Sequence, residues 1–135
     1  MFKLIKILNS GTNVPEPCRL PKTQSLKIKI GMPLIITDGK LAACSATDKP
    51  THIALANATA SESYAICYEI SKDMYFETVS TAVPSALILG KAYTLAADSD
   101  GFMYGITATA NSGVATVVDI CNAKNAGDTV TVKFN

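Results

Sequence analysis

The chain has 135 residues, 48% hydrophobic and 17% charged, with a formal net charge of +1. That length gives one domain with its own core and leaves little room for a second. Near-neutrality excludes a module that grips polyanions through overall charge, because such modules carry a basic excess.

Residues 1–25 differ in kind from the rest of the chain. Gly11, Pro15, Pro17 and Pro21 interrupt any regular element, and "FKLIKIL" reads as a strand that pairs only where a partner offers an edge. The segment is expected to be an extended N-terminal arm. Lys3 and Lys6 break up its apolar start, so no signal peptide is expected there, and no run reaches the length of a membrane span. A reducing cytoplasm with free thiols is the expected site of synthesis.

Residues 26–135 are expected to form one β domain. "SLKIKI" alternates strictly, setting Leu26, Ile28 and Ile30 against Lys27 and Lys29, the pattern of a half-buried strand. "PLIITDGKLAAC" places two apolar runs around Asp38-Gly39, a hairpin dipeptide that tolerates positive φ at both central positions. "THIALA", "SYAICYEI" and "DMYFETV" continue as strands, separated by turn-rich segments, and suggest a meander. "PSALILGKAY" holds no more than one helical turn. "GKAYTLAADSDGFMYGITAT" repeats the strand, Asp-Gly, strand theme, and "VATVVDIC" and "DTVTVKF" supply the last strands. The final strand puts Val130, Val132 and Phe134 on one face, after a turn at Gly127-Asp128. Many short strands rich in Thr, Val, Ile and Tyr predict an all-β fold, a small barrel or sandwich of short antiparallel strands.

Charge is uneven along the chain. Residues 1–40 hold seven Lys and Arg against two acids, and the remainder five against nine. The charged fraction lies below the roughly 25% of ordinary soluble domains, which implies that part of the outside is hidden against copies of the chain or a partner.

Catalytic and metal chemistry finds little support. His52 is the sole imidazole, with Cys44, Ser45 and Asp48 nearby in sequence, but no nucleophile-elbow motif accompanies them and strand neighbours point to opposite faces. No catalytic residue is assigned. "DSDG", Asp98 to Gly101, lacks the later ligands of a calcium loop and reads as a hairpin turn. Cys18, Cys44, Cys67 and Cys121 are spread without a CxxC pair or a nearby His cluster, so neither a metal site nor a cofactor is expected. Tyr64, Tyr68, Tyr75, Phe76, Tyr93, Phe102 and Tyr104 could build a stacking platform for single-stranded nucleic acid or a glycan, but few Lys or Arg interleave with them. Core and cross-strand packing is the default for such residues.

The stretch Met32 to Val79, "MPLIITDGKLAACSATDKPTHIALANATASESYAICYEISKDMYFETV", resembles the head decoration proteins of lambda-like phages. Shared are a Pro-Leu strand, a turn, a Lys-Leu strand, a loop, an Ile-Ala strand, a small-polar spacer, a strand, and an aromatic-acidic strand before a Pro, here Pro84. The closing "LGKAYTLAADSDG" and "AGDTVTVKF" look like the wider group of capsid-decoration proteins, with a longer C-terminal half than the lambda pattern. The resemblance implies a non-enzymatic structural protein of the virion, made in the bacterial cytoplasm and bound to the capsid exterior. It implies a homo-oligomer, a trimer in the lambda-like members, whose partner is the major capsid protein, with no membrane or direct nucleic-acid contact. By position, it also implies that the arm residues Phe2, Lys3, Leu4, Ile5, Lys6, Ile7 and Leu8 add a strand to a capsid sheet. The rival reading is a small β-barrel binding module for single-stranded nucleic acid or a glycan.

Overall fold

The computed structural model describes residues 1–8, 15–120 and 122–134. In chain order the strands are β1 (Lys3–Ile7), β2 (Cys18–Pro21), β3 (Pro33–Thr37), β4 (Lys40–Ala43), β5 (His52–Ala54), β6 (Tyr64–Glu69) and β7 (Met74–Ser80), then β8 (Ala92–Tyr93), β9 (Leu95–Ala97), β10 (Met103–Ile106), β11 (Ala115–Asp119) and β12 (Thr129–Phe134). One 3-10 turn, Pro84–Ala86, stands between β7 and β8. The fold is all-β, and no helix among the described residues is long and apolar enough to cross a membrane.

Two sheets face one another as a sandwich. The smaller runs β2-β6-β5-β3-β4; the larger runs β8-β11-β12-β7-β10-β9, with β1 also paired to β7. Between them lie Phe76, Val117, Val130, Val132 and Phe134 of the larger sheet and Ile53 and Tyr68 of the smaller. A second cluster, including Leu34, Leu41, Ala54, Ala65 and Cys67, fills the other face of the smaller sheet. That sheet curls until Lys22 bridges Leu41, which brings its two edges together at one point without a continuous closing ladder.

Local chemistry accounts for much of this. Asp38 and Gly39 both take positive φ, 50° and 74°, and the two-residue loop joins Thr37 to its partner Lys40, the geometry that matches strand twist. Val130, Val132 and Phe134 are all buried, as alternation requires of a strand with one covered face. At Asp98, Oδ1 accepts the backbone N–H groups of Asp100 and Phe102 at 2.9 and 3.0 Å, so the carboxylate organises the β9–β10 hairpin turn.

Three expectations need correction. The described residues of the segment 1–25 do not form a free arm, because their strands belong to the two sheets. β1 pairs antiparallel with β7 and β2 with β6, and Phe2 is 1% exposed with its ring 5.2 Å from that of Phe134. The pairing edge that "FKLIKIL" requires is supplied by the chain itself. Gly31 makes room for this segment: its carbonyl accepts the Phe2 N–H at 3.0 Å, its φ is +77°, and a β-carbon there would collide with the Met1 side chain. Of the breakers, Gly11 lies outside the described residues.

"SLKIKI" does not join either sheet. Ile28 alone exchanges both backbone hydrogen bonds with Ala58, at 2.9 Å each, and is buried, whereas Ile30 is exposed. The run is flanked by positive φ at Ser25 and Gly31, and turns closed by Leu26 N–H on the Thr23 carbonyl and Met32 N–H on the Lys29 carbonyl bend the chain away on either side of the Ile28–Ala58 bridge. The larger sheet is also no simple meander, since β10 returns beside β7 in parallel, with Gly105 opposite Val79 and Ile106 opposite Ser80.

Candidate interaction surface

The residues singled out in the first strand are only partly available to a partner. Phe2 is core, and Leu4 and Ile7 pack against that core. Leu8 is half-buried, with its N–H donated to the Asp73 carbonyl at 2.8 Å. Lys3, Ile5 and Lys6 are exposed. The β1–β7 register shifts between Leu4 and Lys6, so Ile5 sits at a bulge. A bulge and two lysines are the usual guards of a sheet edge against unwanted pairing. Strand donation by residues 2–8 would require first stripping β1 from β7, Phe2 from Gly31 and Leu8 from Asp73.

A stronger candidate lies on the smaller sheet, and it begins with alternation along β6. Ala65 and Cys67 point into the curl, so Tyr64, Ile66 and Tyr68 share the opposite face. Tyr68 is covered by the larger sheet, whereas Tyr64 and Ile66 are each 46% exposed. One strand face thus passes from covered to open within five residues, and the apolar surface runs out past the sandwich. Across the ladder, Arg19 of β2 stands opposite Ile66, and its guanidinium lies 4.3 Å from the Tyr64 ring centre. This cation–π contact ties the two side chains together across the strand pair. A shallow open pocket of about 390 Å³ borders them, with Ala56, Asn57 and Glu62 on its rim. Exposed Tyr and Arg beside an aliphatic side chain is the composition that concentrates binding energy in protein interfaces.

A second apolar projection comes after β7. Pro84 and Leu87 are buried and anchor the loop, the Ile88 N–H donates to Tyr93 Oη at 2.8 Å, and the Gly90 N–H donates to the Val117 carbonyl at 2.8 Å. Held in that way, Ile88 and Leu89 remain 59% exposed, and Val83 is exposed as well. Three large apolar side chains on an anchored loop make an exposed apolar projection, a feature that soluble surfaces carry at interaction sites.

No protein-family model matches the chain, and no curated protein matches it.

The remaining sequence candidates fall elsewhere. Of the seven aromatic residues considered as a platform, Tyr68, Phe76 and Tyr93 are buried, and burial pushes the Tyr68 hydroxyl up to about 12. Lys29 lies over the Phe102 ring at 4.4 Å while bridging Asp98 and Asp100, each at 3.3 Å. The seven therefore do not share one open face. Near His52, the Asp48 carboxylate accepts the Ser45 N–H at 2.8 Å and closes a turn. Cys44 is buried, and desolvation, assisted by the Asp48 charge, pushes its thiol up to about 12. That holds it as an unreactive thiol.

His52 has different neighbours from those its sequence position suggested. Its Nδ1 lies 2.8 Å from Thr51 Oγ1, and partial burial lowers its pKa, with Glu69 opposing. It gathers with Cys18 and Cys67, one potential ligand atom from each lying within 4.8 Å of the others. Sequence spacing hid this group: the residues come from three strands, and only the pairing register brings them together. Burial, with the hydrogen bond to Cys18, pushes the Cys67 thiol up to about 12. Cys121 lies outside the described residues.

Proposed function

We propose that this protein works by covering surface rather than by catalysis, as a homo-oligomeric decoration protein that binds the outside of a phage capsid and bridges its major capsid subunits. The observation that carries the reading is the open patch of Arg19, Tyr64 and Ile66, where a sheet face continues beyond the sandwich with hot-spot composition. A bridging protein needs a second contact, and the anchored loop bearing Val83, Ile88 and Leu89 supplies a separate apolar face for copies of the chain. The low charged fraction fits a domain that loses surface to neighbours on assembly. The resemblance over Met32 to Val79 points to the same class, and Tyr64 and Ile66 lie inside it.

The attachment differs from the strand donation expected of the first residues. Since β1 is committed to β7, the capsid is contacted by preformed side-chain surface. Oligomerisation then multiplies weak single contacts through effective concentration.

The test is co-sedimentation with expanded heads assembled from the cognate major capsid protein, combined with the mass of the free protein in solution. The wild-type chain is expected to run as an oligomer and to pellet with heads. Tyr64→Ala, removing a hot-spot side chain worth at least about 2 kcal/mol, should weaken pelleting about 30-fold with an unchanged unfolding midpoint. A monomer that stays in the supernatant would refute the reading.

A further inference from the structure

Cys18, His52 and Cys67 lie on one side of the smaller sheet because of its register. Cys18 of β2 stands directly opposite Cys67 of β6, and Ala54 of β5 opposes Cys67 from the other flank. Side chains alternate along a strand, so His52, two residues before Ala54, shares that side as a diagonal neighbour of Cys67. The two sulfur atoms are 3.6 Å apart, and a ring nitrogen of His52 completes a triangle whose atoms all lie within 4.8 Å of one another. We propose that these three side chains form a binding site for a zinc-class cation, held by two thiolates and one imidazole, with water in the fourth position.

Distances favour a shared cation. Tetrahedral zinc about 2.3 Å from each thiolate holds two sulfurs about 3.8 Å apart, close to the spacing already present, whereas a disulfide requires about 2.05 Å. The donor set selects the metal class: two sulfurs and a nitrogen suit zinc or another borderline-to-soft ion, and offer calcium or magnesium none of the oxygens they require. The surroundings orient the ligands. Thr51 Oγ1 lies 2.8 Å from His52 Nδ1 and 3.5 Å from the Leu34 carbonyl. A hydroxyl that donates to that carbonyl accepts Nδ1–H and leaves Nε2 with its lone pair, the usual arrangement behind a metal-bound histidine. Cys67 is fully buried while Cys18 and His52 are half-exposed, so an ion enters from their side and keeps a water there. On binding, each thiol releases one proton to solvent as its sulfur–metal bond forms, and no oxidant is involved.

The site would pin β2, whose ladder to β6 begins at Cys18, onto the rest of the sheet. Apparent stability should then rise with free zinc. This inference does not rest on the decoration role.

The experiment uses the full-length, reduced and metal-free chain, titrated with Co2+ as a spectroscopic probe and then with Zn2+ by calorimetry. One equivalent of Co2+ should produce thiolate charge-transfer absorption and intense tetrahedral d–d bands, which Zn2+ abolishes. Cys18→Ser and His52→Gln, both at half-exposed positions and both checked for folding by circular dichroism, should each weaken zinc binding at least tenfold. Cys121→Ser should leave it unchanged. No uptake by the reduced protein would overturn the site, as would uptake indifferent to Cys18→Ser and His52→Gln. So would a chain that ignores metal but forms a Cys18–Cys67 disulfide with glutathione disulfide, since the pair would then be a redox couple.

Discussion

Replacing Phe2 with alanine tests whether the first strand is part of the fold. The ring is 1% exposed, 5.2 Å from Phe134, which is itself 5.2 Å from Phe76. Truncation therefore opens a hole at the end of a row of three mutually tilted rings. Such substitutions cost about 3–5 kcal/mol when the surroundings cannot collapse, and here they are pinned: Phe2 N–H is bonded to Gly31, and the Met1 carbonyl accepts Thr78 Oγ1 at 3.1 Å. Against a total stability of about 5–15 kcal/mol for a domain, the loss is a large fraction. With a urea m-value of about 2 kcal/mol/M, the midpoint should fall by roughly 1.5–2.5 M at unchanged m. Ile5→Ser, at the exposed bulge of the same strand, is the control and should move the midpoint little. If Phe2→Ala unfolds within about 0.5 kcal/mol of wild type, the size of an ordinary surface substitution, the first residues are an arm after all and the sheet assignment of β1 fails.

Gly31→Ala should destabilise by about 1–3 kcal/mol, because it combines a left-handed backbone with a collision against Met1; thermal unfolding that matches wild type would show that the N-terminal segment does not pass there. Asp98→Asn should cost stability at neutral pH and nothing in strong acid. Desolvation tends to raise the Asp98 carboxyl, but the N–H groups of Phe102 and Asp100 and the Lys29 ammonium outweigh it and hold its pKa below the ordinary range. A carboxyl lowered by folding contributes fully above its unfolded pKa, near 3.9, and loses that contribution as pH falls through the lowered folded value. Paired urea melts of wild type and Asp98→Asn across the acid range check this, and a difference that grows toward low pH would contradict it.

How much of this was legible depended on the range of the contacts involved. The Asp38-Gly39 hairpin and the buried face of β12 could be read because turn chemistry and alternation are local. β1 could not be placed, since its partner β7 is more than sixty residues away and nothing in "FKLIKIL" distinguishes that edge from another molecule's. "SLKIKI" shows the converse: perfect alternation with no ladder, because flanking positive-φ residues turn the chain away. Cys18, His52 and Cys67 looked scattered for the same reason as β1, as register across β2, β6 and β5 carries no signal in spacing. The Arg19–Tyr64–Ile66 patch was half visible. Alternation puts Tyr64 and Ile66 on one face, but only the extent of the opposing sheet shows where that face is left open.

The central place of β7 bears on how the molecule is made. β7 takes β1 on one flank and β12 on the other, while β10 continues the first flank. Since β12 leaves the ribosome more than fifty residues after β7, Phe76 stays without its Phe134 neighbour and one margin of β7 stays vacant until β12 has emerged. A product truncated before β12 would carry a bare apolar strand into the cell, the kind of species that chaperones retain and that otherwise clumps.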